Sequence, residues 1–228
     1  MREIALDTET TGLNPKGGDR VVEIGCVEMI NHVATDKTFH VYINPERDMP
    51  DGAFRVHGLS EEFLCKHAVF AKVADDFLDF IGDDPLVIHN VQFDIGFLNA
   101  ELERLGKAKL DVARTIDTIP MARKKFPGAG ASLDALCRRF GIDNSNRQLH
   151  GALLDAELLA EVYLELNGGR QTGLGLGETD LKEAAPSDDE IKIESRTKRE
   201  LRVFAPSGEE QERHKVFVDT LTDALWKA

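Results

Sequence analysis

Three short apolar stretches, at residues 4–7, 21–28 and 39–43, lead the chain, and a fourth at 86–89 follows between two amphipathic patterns, 69–81 and 92–105. Apolar runs of this length read as strands, and apolar residues recurring at i, i+3, i+4 and i+7 read as helices with one buried face. Further helical patterns occupy 118–126, 132–140 and 151–166. Strands that come first and then alternate with helices predict an α/β domain built on a mixed β-sheet flanked by helices. The chain has 228 residues, 42% of them hydrophobic, enough to give residues 1–170 a sizeable core.

The first predicted strand ends in acid. Asp7 and Glu9 follow the apolar Ile4 and Leu6, and Thr10-Thr11-Gly12 with Asn14-Pro15 marks the turn beyond. Side chains alternate along a strand, so Asp7 and Glu9 share one face and Thr8 takes the other. Two carboxylates so placed repel unless a cation sits between them. Asp94 falls one turn into the pattern at 92–105, whose stripe is Ile95, Leu98, Leu102 and Leu105, with Asn90 as candidate N-cap. Residues five apart on a helix lie about 140° apart. His150 and Asp155 therefore converge if His150 precedes the helix and Asp155 lies about one turn in. Taken singly, each acid reads as a turn former or cap, His150 as a surface residue, and His89 as an orienting or core histidine. Together, four carboxylates and an imidazole from three separated segments suffice for two divalent cations and a water-activating base. Mg²⁺ takes oxygen ligands, and two ions roughly 3.5–4 Å apart clamp both oxygens of a phosphoryl displacement, the chemistry of a nuclease.

In order, DTETTG, HNVQFD and HGALLD resemble the three exonuclease motifs of the DEDD superfamily, in the branch that carries a histidine, with all five defining positions present. VHGL at 56–59, SLDALCRRFGIDNS at 132–145 and the terminal LWKA are similar to the proofreading subunits of bacterial DNA polymerase III, strongly to about residue 169 and weakly beyond. The resemblance implies a ribonuclease H-like fold and a 3′–5′ exonuclease that removes mismatched nucleotides from the primer 3′ end during DNA replication. It implies that Asp7 bridges two divalent cations, Mg²⁺ or Mn²⁺, that Glu9 and Asp155 complete the first site, and that Asp94 serves the second. His150 would be the general base. A terminal nucleotide is expected near Thr10, Thr11, Val56 and His57, with Phe93 either wedging bases or packing in the core. Two other readings stay open. RNA-trimming exonucleases share the motifs but lack a long acidic tail ending in LWKA, and a non-catalytic polymerase assembly module would be expected to lack His150 or a carboxylate.

The net charge is −13; residues 1–170 carry 19 basic and 28 acidic side chains, and residues 171–228 carry 9 and 13. Sequence-independent affinity for DNA normally comes from Lys and Arg displacing counterions, so weak intrinsic binding, offset by tethering, is predicted. After Gly168-Gly169 the composition turns polar and aperiodic, and residues 171–206 read as a flexible linker. Within it, Gln171, Leu174 and Leu176 resemble the QxxLx[LF] peptide that docks on bacterial sliding clamps. Residues 207–228 read as a helix that opens on a Ser207/Glu210 capping box and carries Val218, Leu221, Leu225 and Trp226 on an apolar side that needs a partner. By resemblance that partner is the polymerase catalytic subunit; a small accessory subunit is left open. Cys26, Cys65 and Cys137 lack metal or disulfide spacing, and no apolar run approaches a membrane span. The expected setting is cytoplasmic, at the bacterial replisome, with no membrane contact.

Overall fold

The computed structural model describes residues 1–145, 147, 149–169 and 206–220. Strands β1 (Arg2–Thr10), β2 (Val21–Ile30) and β3 (Val33–Tyr42) come first, followed by helices α1 (Asp51–His57), α2 (Glu61–Leu64) and α3 (Phe70–Ile81). Then come β4 (Leu86–Ile88), α4 (Val91–Arg104), β5 (Thr115–Asp117), α5 (Thr118–Lys125), α6 (Leu133–Phe140) and α7 (Ala152–Leu166). The sheet order is β3-β2-β1-β4-β5. β1, β2 and β3 pair antiparallel, whereas β4 is parallel to β1 and β5 to β4, which makes the sheet mixed.

Alternation along β1 divides the core into two layers. Ile4 and Leu6 pack with Phe70 and Phe77 of α3 and Ile95 and Leu98 of α4, while Ala5 belongs with Ala156, Leu159 and Tyr163 of α7. The same alternation continues into the acidic end, sending Thr8 toward α4 and Asp7 and Glu9 toward α7. Only residues 4–6 of β1 pair with β4, which stops at Ile88 opposite Leu6, so Asp7 to Thr10 outrun their parallel neighbour. The carboxyl ends of parallel strands are where open α/β sheets place their sites.

Several expectations are refined. β3 begins at Val33 rather than at 39, and α1, α2 and β5 are elements that no periodic pattern announced. Asn90 does not cap α4: its backbone is left-handed (φ 79°) and its side chain makes no capping bond. Asp117, at the end of β5, does so instead, accepting from the Asn90 and Val91 amides at 3.3 Å each. The three cysteines are free. Among the described residues no helix is long and apolar enough to cross a membrane.

The chain divides into two units, Met1–Gly177 and Glu178–Ala228. In the second, α8 (Gly208–Asp219) opens with the Ser207/Glu210 capping box and leaves Val216 and Phe217 exposed. Val218 lies in this helix. Gln171, Leu174, Leu176, Leu221, Leu225 and Trp226 fall outside the described residues.

Gly25, paired with Asp7 in the β1–β2 register, decides how closely α7 can approach. A Cβ there would stand 2.2 Å from the Ala152 carbonyl carbon and 2.3 Å from the Leu153 nitrogen, both backbone atoms that no side-chain rotation can clear. Gly25→Ala is therefore expected to destabilise the domain by about 3 kcal/mol, the upper range for overpacking, as read from urea denaturation. A change below about 0.5 kcal/mol, the size of an ordinary surface substitution, would show that α7 is free to move off the sheet.

Candidate active site

Asp155 sits in the first turn of α7, whose N-cap Gly151 is extended (φ −148°), so His150 precedes the helix. Asp94, in the first turn of α4, accepts a 2.7 Å hydrogen bond from the Thr8 hydroxyl. Asp7, Glu9, Asp94, His150 and Asp155 line one cavity of about 340 Å³, which Arg147 also enters. Oxygens of Glu9 and Asp155 and a ring nitrogen of His150 lie within 4.8 Å of one another, a spacing that suits a shared metal ion. Glu9, Asp94 and Asp155 are buried, Asp7 keeps slight exposure, and the His150 side chain is 47% exposed at the rim.

Removing carboxylates from water raises their pKa, and neighbouring negative charge raises it further. Burial, followed by repulsion from Asp94, Glu9 and Asp155, lifts Asp7 well above the usual carboxylate range. Burial, with repulsion from Asp155 and Glu23, pushes Glu9 up to about 8. Asp94 is raised to about 7 by burial, against the opposing pull of the Thr8 hydroxyl bond. His89 also lines the cavity; its Nδ1 is 2.9 Å from the Thr118 hydroxyl, and burial lowers its pKa.

A second cavity of about 450 Å³ adjoins the first through their shared walls, Glu9 and Phe93. Thr10, Thr11, Val56 and His57 line it as well, so all five residues expected to meet a terminal nucleotide surround one space. Its size lies within the range of small-ligand pockets. Phe93 is half-buried against the core, with its ring 5.0 Å from that of Phe97, and also lines both cavities. His57 is buried, which lowers its pKa, and its Nδ1 accepts from the Leu59 amide at 3.0 Å.

Sequence reasoning missed Arg147. Its Nε and Nη2 reach the two oxygens of Asp155 at 2.5 and 2.7 Å, and Nη1 reaches Asp134 at 2.8 Å. These bonds raise the already high pKa of the guanidinium. The signal that could have found it is electrostatic: four clustered acids call for a cation, and Arg147 is the basic residue nearest the third motif.

Residues 4–163 match the exonuclease family named for RNase T. The chain is 51% identical over 224 residues to the DNA polymerase III subunit epsilon of Rickettsia felis, covering 97% of each. It is 44% identical over 244 residues to the subunit of the same name from Escherichia coli, covering all of this chain and 98% of that one. Among solved structures it is similar to exonuclease X in complex with 5′-overhanging duplex DNA (24% identity, TM-score 0.58, 73% of this chain and 90% of that one). It is also similar to the nuclease domain of 3′hExo, a DEDDh family member bound to rAMP (19% identity, TM-score 0.63, 73% and 92%). Both likenesses place the chain in the ribonuclease H-like fold.

The raised carboxylate pKa values set a pH dependence. An unfolded Glu or Asp titrates near 4, so between that pH and the folded value the native state holds protons that the unfolded chain has released. The stabilisation is complete below the unfolded pKa and is lost as pH rises through about 7 for Asp94 and about 8 for Glu9. The lowered pKa values of His57 and His89 act oppositely, but below about pH 6.5. In chelator, stability is therefore expected to fall by roughly 2 kcal/mol between pH 6.5 and 8.5, several degrees in Tm. Saturating Mg²⁺, which takes the deprotonated oxygens, should flatten this trend. A Tm that climbs over that interval in chelator would contradict the assignment.

Proposed function

The chain belongs to the exonuclease family, within the group formed by the epsilon subunits of bacterial DNA polymerase III, and we propose that its acidic cleft hydrolyses the terminal phosphodiester by two-cation chemistry. The protein is a 3′–5′ exonuclease that removes mismatched nucleotides from the primer 3′ end during replication. The observation that carries the chemical reading is the meeting of Asp7, Glu9, Asp94, Asp155 and His150, from β1, α4 and the segment entering α7, around one cavity.

The donor set fits the ions. Hard carboxylate oxygens with one imidazole suit Mg²⁺ or Mn²⁺, and the repulsion that adds to burial in raising Asp7 and Glu9 is relieved by bound positive charge. Asp7 would hold both ions, Glu9 and Asp155 would complete the first site, and Asp94 would serve the second. Bound there, the cations would acidify the attacking water and offset charge on the departing 3′-oxygen. His150, at the solvent-facing rim, accepts the water's proton on its ring, the task of a general base. Thr10, Thr11, Val56, His57 and Phe93 hold the terminal nucleotide in the adjoining cavity, and the aromatic face of Phe93 accepts any base. Recognition of that kind suits an enzyme that must remove whichever nucleotide was misincorporated.

Residues 1–170 act as the exonuclease domain, and the remainder tethers it. Residues 171–206 link it to a helix at 207–228 that binds the polymerase catalytic subunit through Val218, Leu221, Leu225 and Trp226. Gln171, Leu174 and Leu176 engage the sliding clamp. Support comes from the exposed Val216 and Phe217 of α8, apolar side chains turned to solvent on a helix with its own N-terminal cap. Such a tether would hold the domain near the primer end at an effective concentration on the order of mM, which offsets the weak affinity expected of an acidic protein for DNA. The enzyme works in the bacterial cytoplasm at the replisome.

On a 3′-mismatched DNA primer the full-length protein should release nucleotides in Mg²⁺ and none in chelator, and an RNA strand of the same sequence should be degraded more slowly. Asp7→Ala and His150→Ala are each expected to lower the rate about 10²- to 10⁴-fold. Mg²⁺-dependent digestion retained at full rate by Asp7→Ala would mean that the ions bind elsewhere, and equal rates on DNA and RNA would count against a replication substrate.

A further inference from the structure

Among the residues lining the carboxylate cavity, Arg147 is the single Lys or Arg. Its side chain is 8% exposed, and its guanidinium spans three groups. Nε and Nη2 hold both Asp155 oxygens, Nη1 holds Asp134, and Nη2 is also 2.8 Å from His150 Nδ1. Arginine only donates hydrogen bonds. A neutral His150 ring with its proton on Nε2 accepts that contact at Nδ1, which also lies 3.4 Å from an Asp155 oxygen, and so spends its one free lone pair on the guanidinium.

One of these two Asp155 oxygens belongs to the group of donors, with one oxygen of Glu9 and a ring nitrogen of His150, that lie within 4.8 Å of one another. A Mg²⁺ ion sits about 2.1 Å from a carboxylate oxygen. An ion bound to Asp155 would thus stand within roughly 4 to 5 Å of a guanidinium bonded to the same carboxylate, where like charges repel by several kcal/mol at an effective dielectric constant of about 20. Resting on the two-cation reading above, we propose that Arg147 is a resident counter-ion that a divalent cation must displace from Asp155, and that its withdrawal also frees Nδ1 of His150. Asp134, whose side chain is 48% exposed, is the anchor on which the guanidinium remains after it leaves Asp155. Arg147 is in this sense a positioning residue: it keeps the acids folded together without metal and gives way when metal arrives.

A closed arrangement favoured about ninefold would weaken apparent cation binding about tenfold, because only the open fraction is competent. Titrating the full chain with Mg²⁺ by calorimetry should accordingly show Arg147→Gln binding about tenfold more tightly than the wild type. In chelator the same variant should melt on the order of 5–10 °C lower, since its buried carboxylates have lost their partner, and it should regain more of that loss on adding Mg²⁺. Mg²⁺ is diamagnetic, so the Nε–Hε NMR signal of Arg147 in the wild type, assigned by through-bond correlation to its backbone amide, should move as the site fills. A folded Arg147→Gln that binds Mg²⁺ equally or more weakly overturns the proposal. So does an unmoved Arg147 signal while the amides of Glu9 and Asp155 shift, a readout that stands even if the variant fails to fold. Neither heat nor shifts anywhere in the wild type would instead overturn the two-cation reading, and the exchange with it.

Discussion

Negative charges confined in a water-poor cleft repel one another, and the packing around this cleft is arranged to hold them there. At about 5 Å and an effective dielectric constant near 20, each like-charged pair is unfavourable by roughly 3 kcal/mol. That is a large fraction of a domain's net stability. The opposing force is apolar burial in two layers, one under α3 and α4 and one under α5, α6 and α7, which clamp the sheet from both faces. Because the acids project from ends of elements anchored in these layers, they cannot separate without unpacking the core. The alternation of β1 divides the labour. Its even residues Ile4 and Leu6 serve the first layer, Ala5 the second, and beyond the reach of β4 the same pattern presents Thr8 to Asp94 and Asp7 and Glu9 to Asp155.

The protein's overall acidity becomes coherent on the same terms. A cleft whose carboxylates outnumber their cation Arg147 repels a phosphodiester as it repels itself, so substrate affinity and cation loading are coupled in the proposed mechanism. Across residues 1–170 as a whole, the balance of 19 basic and 28 acidic side chains gives no general attraction to DNA. In the proposed mechanism, selection for a chain end falls to the adjoining cavity, whose walls are largely uncharged: Thr10, Thr11, Val56 and Phe93 offer hydroxyls and apolar surface.

Regular elements with a long apolar period were legible in the sequence. The patterns at 69–81 and 151–166 correspond to Phe70–Ile81 and Ala152–Leu166, with boundaries displaced by a single residue. The convergence of His150 with Asp155 was also legible, since helical geometry forbids residues five apart from meeting unless one lies outside the helix. Elements too short for a period were not: β5 has three residues, all half-buried, and α2 is only four residues long. Asn90 shows why a local rule fails. Its side chain is a good cap by type, but the Asp117 carboxylate, 27 positions away, already satisfies the amides at the start of α4, and that pairing exists only once the sheet has formed. Arg147 was hidden for a related reason. It lies in an aperiodic connection, and its three partners, Asp134, His150 and Asp155, are assembled by the packing of α6 against α7.

The division between fixed and adjustable groups follows the division between regular and irregular backbone. Asp7, Glu9, Asp94 and Asp155 stand on β1, α4 and α7, where backbone hydrogen bonds and buried neighbours hold each oxygen to its place. His150 and Arg147 stand on the connection between α6 and α7, joined to its surroundings by a few bonds such as that from the His150 amide to the Val56 carbonyl at 3.1 Å. Ligands that must be preorganised gain from rigid elements. A base that must accept and release a proton, and a counter-ion that must change partners, gain from a segment whose rearrangement disturbs little of the core. Val56 itself lines the adjoining cavity, so in the proposed mechanism the backbone bond that steadies the general base runs from His150 to a wall of the nucleotide site.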